Sequence, residues 1–120
     1  MSKFLVYEYL SKSLKEIEFN HELDFLSVAY RSIQCEWIEY ATLTPTIDII
    51  VDGEGALKEN NYINTIYDKQ LDRVQFLFGN LMFVGFENGK TVGLSEKQIN
   101  YIKDNVIVDT IPIEVYKALK

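Results

Sequence analysis

Apolar positions along the chain switch between two spacings, and the switches divide it into short elements. Phe4 to Tyr9 is a dense aromatic and β-branched run, Ser11-Lys12-Ser13 interrupts it, and Ile17 and Phe19 then alternate with Glu16 and Glu18. That pattern predicts a hairpin with one wet face. Leu23, Leu26, Tyr30 and Ile33 follow at helical spacing behind Asn20, a competent cap, with Glu22 and Asp24 where the helix dipole favours acids. The spacing predicts a helix over 21–33. Cys35 to Thr42 returns to strand composition, Thr44-Pro45 ends it, and Thr46 to Val51 is the next strand. Asp52-Gly53-Glu54-Gly55 reads as a tight turn whose two glycines have access to positive φ.

In residues 58–73, Ile63, Ile66, Tyr67 and Leu71 fit one helical face, but Asn60, Asn61 and Asn64 favour turns. The expectation there is a long loop able to hold a short helix. Val74 to Phe86 reads as one buried strand. Glu87-Asn88-Gly89-Lys90 then predicts a type I′ turn into Thr91 to Leu94, with Phe86 opposite Thr91. Ser95 and Gln98 fit a capping box and Leu94 and Ile99 a hydrophobic staple, which starts a helix over 96–105 that stops at Asn105. Val106 to Val108 suits a short strand. The end is either a helix over Pro112 to Leu119 or an edge strand continued by Ile111, Ile113 and Val115. The elements together describe a single α+β domain over residues 1–120, a mainly antiparallel sheet with two or three helices.

Composition narrows the class. The 120 residues are 48% apolar, 13% aromatic and 25% charged, which excludes disorder, and no apolar run approaches the length of a membrane span. A single cysteine, Cys35, forms no internal disulfide, and Met1-Ser2-Lys3-Phe4 lacks a signal-peptide layout, so the expected compartment is the cytoplasm. The net charge of −6 gives little basic surface for direct contact with nucleic acid.

Reactive chemistry is sparse. His21 is the only histidine, so a metal site or a Ser/His/Asp triad would have to be built around it, and a helix start lowers its pKa. Cys35 is read as a small buried residue on a central strand, with no cation or histidine close in sequence to activate it. The glycines form no phosphate loop, and Asp48, Asp52 and Glu54 lack the spacing of a calcium loop. No enzyme, no metal and no cofactor is expected. Trp37 shares a strand face with Glu39 while Ile38 points inward, which places the tryptophan at an edge or interface.

From Ile17 to about Ile102 the order of features resembles the family known as domain of unknown function 3846. The resemblance rests on the helix Leu23-Asp24-Phe25-Leu26-Ser27-Val28, the Ile38-Glu39 pair, and Asp52-Gly53-Glu54-Gly55-Ala56-Leu57 followed by Asn60 or Asn61. It extends through Gly79-Asn80-Leu81-Met82-Phe83-Val84-Gly85 and Leu94-Ser95. Where the family commonly has a glycine pair before the Ile-Glu strand, this chain has Gln34-Cys35. The resemblance implies an accessory protein of a phage or mobile element and carries no catalytic residues.

Two functions are weighed. In the first, the chain is a non-enzymatic binding protein, monomer or homodimer, for a host or element-encoded protein with a basic surface. Its sharpest version is a nucleic-acid mimic that inhibits a defence nuclease such as a CRISPR effector. The partner-binding residues are then Glu16, Glu18, Glu22, Asp24, Glu36, Trp37 and Glu39, provided the acids share one face. In the second, Trp37, Asn60, Asn61, Tyr62 and Asn64 surround a concavity, in a pocket or at a dimer seam, that sequesters a nucleotide.

Overall fold

A computed structural model describes residues 2–19 and 25–119. Strands β1 (Ser2–Glu8) and β2 (Ser13–Phe19) form the expected hairpin. Helix α1 is Phe25–Ile33, and the expected cap Asn20, with His21, Glu22, Leu23 and Asp24, lies outside the described residues. Then come β3 (Ile38–Thr44), β4 (Ile47–Asp52), a 3₁₀ turn at Gly55–Leu57, β5 (Tyr62–Asp68) and β6 (Arg73–Leu77). The chain closes with β7 (Leu81–Glu87), β8 (Lys90–Val92), α2 (Glu96–Asn105), β9 (Val106–Pro112) and α3 (Ile113–Leu119).

Two antiparallel sheets result. The larger runs β2-β1-β7-β4-β3, with β8 pairing the far half of β7, and the smaller runs β6-β5-β9. The continuous apolar runs of β1, β4 and β7 have a simple cause: these central strands are covered on both faces. On one face Phe4, Val6, Ile50, Met82 and Val84 pack against Val28, Ala29 and Ile33 of α1. On the other, Leu5, Tyr7, Ile47, Ile49, Leu81 and Phe83 meet Ile66 of the small sheet and Ile99 and Ile102 of α2. The α+β class and the mainly antiparallel pairing stand.

Local chemistry explains several ends. Asn88 (φ 52°) and Gly89 (φ 76°) make the expected turn, with Glu87 opposite Lys90 and Phe86 opposite Thr91. The capping box of α2 is formed in full, and Leu94 and Ile99 are both buried. Helix α1 ends with Gln34 in the left-handed region (φ 57°) and the Cys35 N–H donating to the Tyr30 carbonyl at 3.1 Å, a Schellman closure.

Three expectations are corrected. Residues 62–68 are the central strand of the second sheet rather than loop; the inward positions Asn64, Ile66 and Asp68 alternate, but two of the three are polar, which hid the strand period. The stretch Val74 to Phe86 is two strands in different sheets, separated at Phe78-Gly79-Asn80, where Gly79 takes φ 79°. The chain end combines both alternatives, since β9 runs through Pro112 and α3 begins directly after it. Cys35, moreover, is half-buried and precedes β3, which is an edge strand and not a central one.

The polar core residues are fully engaged. Thr110 Oγ1 donates to Asn64 Oδ1 at 2.8 Å, so the Tyr7 hydroxyl donates to Thr110 at 2.7 Å, and Asn64 Nδ2 donates to the Gly79 carbonyl at 2.6 Å. This chain of bonds ties β1 to the second sheet. Asp68, 1% exposed, accepts from Gln70 N (2.9 Å), Leu71 N (3.1 Å) and the Tyr101 hydroxyl (2.8 Å). No helix among the described residues is long and apolar enough to cross a membrane.

Candidate functional site

The sequence turns from α1 into the edge strand β3 through Cys35-Glu36-Trp37, and the start of that strand is where aromatic and acidic groups gather. The Gly53 N–H donates to the Trp37 carbonyl at 2.7 Å, which brings the turn after β4 under the indole. A Cβ at Gly53 would stand 2.3 Å from Trp37 Cδ1 and 3.0 Å from Glu39 Cγ. Neither Gly53 nor Gly55 takes the positive φ expected of it; at Gly53 the requirement is room for the tryptophan. Seated there, Trp37 remains 60% exposed.

Three glutamates adjoin this crossing. Glu39 lies beside the indole over Gly53, and Glu36 and Glu54 both line an open concavity of about 450 Å³ shared with Tyr30, Gln34, Cys35 and Lys58. Asp52 accepts from Glu54 N at 2.9 Å and from Lys58 Nζ at 2.5 Å, so the one lysine here is neutralised. That hydrogen bond holds the Lys58 ammonium above its ordinary pKa. Glu36, Glu39 and Glu54 enter no ion pair among the described residues. Burial, reinforced by the charge of Asp52, pushes the Cys35 thiol up, so it stays protonated at neutral pH and is a poor nucleophile.

The proposed acids do not share one patch. Glu16 and Glu18 stand on β2, at the opposite edge of the large sheet from β3. Four strand spacings separate the two edges, about 19 Å. On β2 their field acts on Lys3, whose pKa is raised first by its bond to Glu96 and then by Glu16 and Glu18. Glu22 and Asp24 lie outside the described residues. Trp37 and Glu39 are brought together over Gly53, and Glu36 shares the adjoining concavity with Glu54. The signal for Glu54 is its place in the Asp52-Gly53-Glu54-Gly55 turn, which folds back on Trp37.

The nucleotide-binding set disperses. Asn64 is buried between the sheets, and Asn60 holds its own loop by donating to the Gly55 and Lys58 carbonyls at 2.6 and 2.8 Å. Asn60, Asn61 and Tyr62 together line a cavity of about 120 Å³, and Asn60 and Asn61 also line an open concavity of about 610 Å³ with Lys58, Phe78 and Lys117, which neither Tyr62 nor Asn64 reaches. Trp37 lines neither. Among the described residues no three His, Cys, Asp or Glu side chains converge to hold a metal.

Fold and surface together define a small α+β protein of two packed antiparallel sheets with an acidic, aromatic rim at one sheet edge. The family model described as Domain of unknown function (DUF3846) matches residues 2–107, and the chain belongs to that family. No curated protein and no solved structure matches it.

Proposed function

We propose that this chain is a non-catalytic binding protein whose partner is a protein with a basic surface, engaged through the rim at the start of β3. The observation that carries this reading is Trp37, 60% exposed yet seated against Gly53 beside Glu39, with Glu36 and Glu54 adjoining that crossing and none of the three in an ion pair among the described residues. An exposed tryptophan held in one place is a low-entropy anchor of the kind that dominates interfaces. Its ring face attracts arginine and lysine, and Glu36, Glu39 and Glu54 add a field that steers cations toward it. A mobile-element protein that occludes a basic nuclease groove is the sharper form of the proposal. The contact is then a compact anchor with three charges, since Glu16 and Glu18 stand on the far edge.

The test is affinity capture from bacterial host lysate over a range of salt, comparing two charge-reversed proteins. One carries Trp37→Ala, Glu36→Lys and Glu54→Lys; the other carries Glu16→Lys and Glu18→Lys on β2. The expected result is a salt-sensitive partner lost by the first and retained by the second. Equal capture by the first variant, or loss confined to the second, refutes the assignment.

A further inference from the structure

We propose that a second site, the groove between the β3–β4 turn, the β5–β6 turn and α2, binds a small amphipathic monocarboxylate. The groove encloses about 460 Å³, within the range of small-ligand sites. Pro45, Ile47, Leu71 and the ring of Tyr101 supply apolar wall. Two of the polar side chains that reach it are committed, and Thr44, Thr46 and Gln70 offer only neutral groups. Gln98 accepts from Ser95 N at 2.8 Å and donates to the Thr46 carbonyl at 2.9 Å, and the Tyr101 hydroxyl donates to Asp68.

Lys97 differs from these in carrying a charge. It is the one charged side chain on the lining and has no carboxylate partner among the described residues. Its neighbour Glu96 is turned to Lys3 at 3.1 Å. An apolar trough with a single free ammonium at its rim is complementary to an apolar body bearing a single negative charge. A neutral ligand leaves the ammonium without a partner, and a dianion such as a phosphate monoester finds only one cation for its two charges. The site lies at the far end of β3 from Trp37, about 23 Å along the strand, and is independent of the proposed partner contact.

The experiment is an NMR titration of the full chain with octanoate, and in parallel with octanol and octanamide, which keep the body and remove the charge. Saturable shifts at Leu71, Ile47 and Tyr101 are expected with octanoate, and clearly weaker ones with the two neutral compounds. Lys97→Gln, on the exposed face of α2, should weaken octanoate about fivefold and leave octanol unchanged. Leu71→Ser, at a half-exposed turn, should weaken all three. Equal affinity for octanoate and octanol, an unaltered octanoate affinity in Lys97→Gln, shifts centred elsewhere, or no saturable shift overturns the proposal.

Discussion

Gly53→Ala tests the seating of Trp37 most directly. The added methyl would start 2.3 Å from Trp37 Cδ1, closer than any real contact, so the indole must swing off the turn. Trp37 is 60% exposed, so roughly two-fifths of its surface is at stake; for a large aromatic that is about 100 Å², or about 2.5 kcal/mol as an upper limit. The backbone at Gly53 is outside the positive-φ region, so alanine also stiffens the unfolded chain and returns about 0.4–1 kcal/mol. The net loss is then about 1–2 kcal/mol, a Tm lower by roughly 4–8 °C at this length. Trp37 is the only tryptophan, so its emission reports the site alone and should shift toward the red as the indole hydrates. In a Trp37→Ala background the same Gly53→Ala change should be neutral or slightly stabilising, because the flexible Glu39 side chain can yield. The stiffening of the unfolded chain cancels in a double-mutant cycle, whose coupling is therefore the burial term itself, up to about 2.5 kcal/mol. Unchanged emission in Gly53→Ala, or an equal loss of stability in both backgrounds, would refute the reasoning.

Three further outcomes follow from the same structure. Asp68→Ala strands the Tyr101 hydroxyl and two turn N–H groups, and urea unfolding should show a loss of about 3 kcal/mol. Burial, then the bond to Asp68 and its charge, push the Tyr101 pKa up to about 12; the folded state holds this proton more tightly than the unfolded one, so the contribution is complete below about pH 10 and disappears as pH rises toward 12. Tyr101→Phe should flatten that alkaline decline in a stability-versus-pH series. Gln34→Gly relieves a left-handed residue at the end of α1 and should raise stability by about 0.5–1 kcal/mol, read by thermal unfolding.

Elements whose signals are local could be read from the chain. The Asn88-Gly89 turn, the Ser95 and Gln98 box and the β1–β2 hairpin each depend on residues a few positions apart, so sequence spacing is enough to specify them. Strand β5 could not be read this way. Asn64 and Asp68 look like turn residues until their partners Thr110, Gly79 and Tyr101 are in place, and those lie 46, 15 and 33 positions away. The break at Gly79 was hidden for a related reason, because apolar residues on either side serve two different sheets. The candidate site was half legible. Trp37 and Glu39 share a face by simple alternation, but nothing in the order of residues reveals that β2 and β3 end up at opposite sheet edges, which is what separates Glu16 and Glu18 from the rim.

Strand β9 has a consequence for how the molecule is made. It pairs with β5 along the full length from Tyr62 opposite Pro112 to Asp68 opposite Val106, so the middle strand of the small sheet obtains its second neighbour from the last part of the chain. Until those residues leave the ribosome, one side of β5 presents open backbone donors and acceptors, and the hydroxyl of Tyr7 lacks Thr110. Nascent chains that stall or are clipped before Val106 therefore carry an unfinished ladder, the kind of exposed edge that recruits strands from other chains.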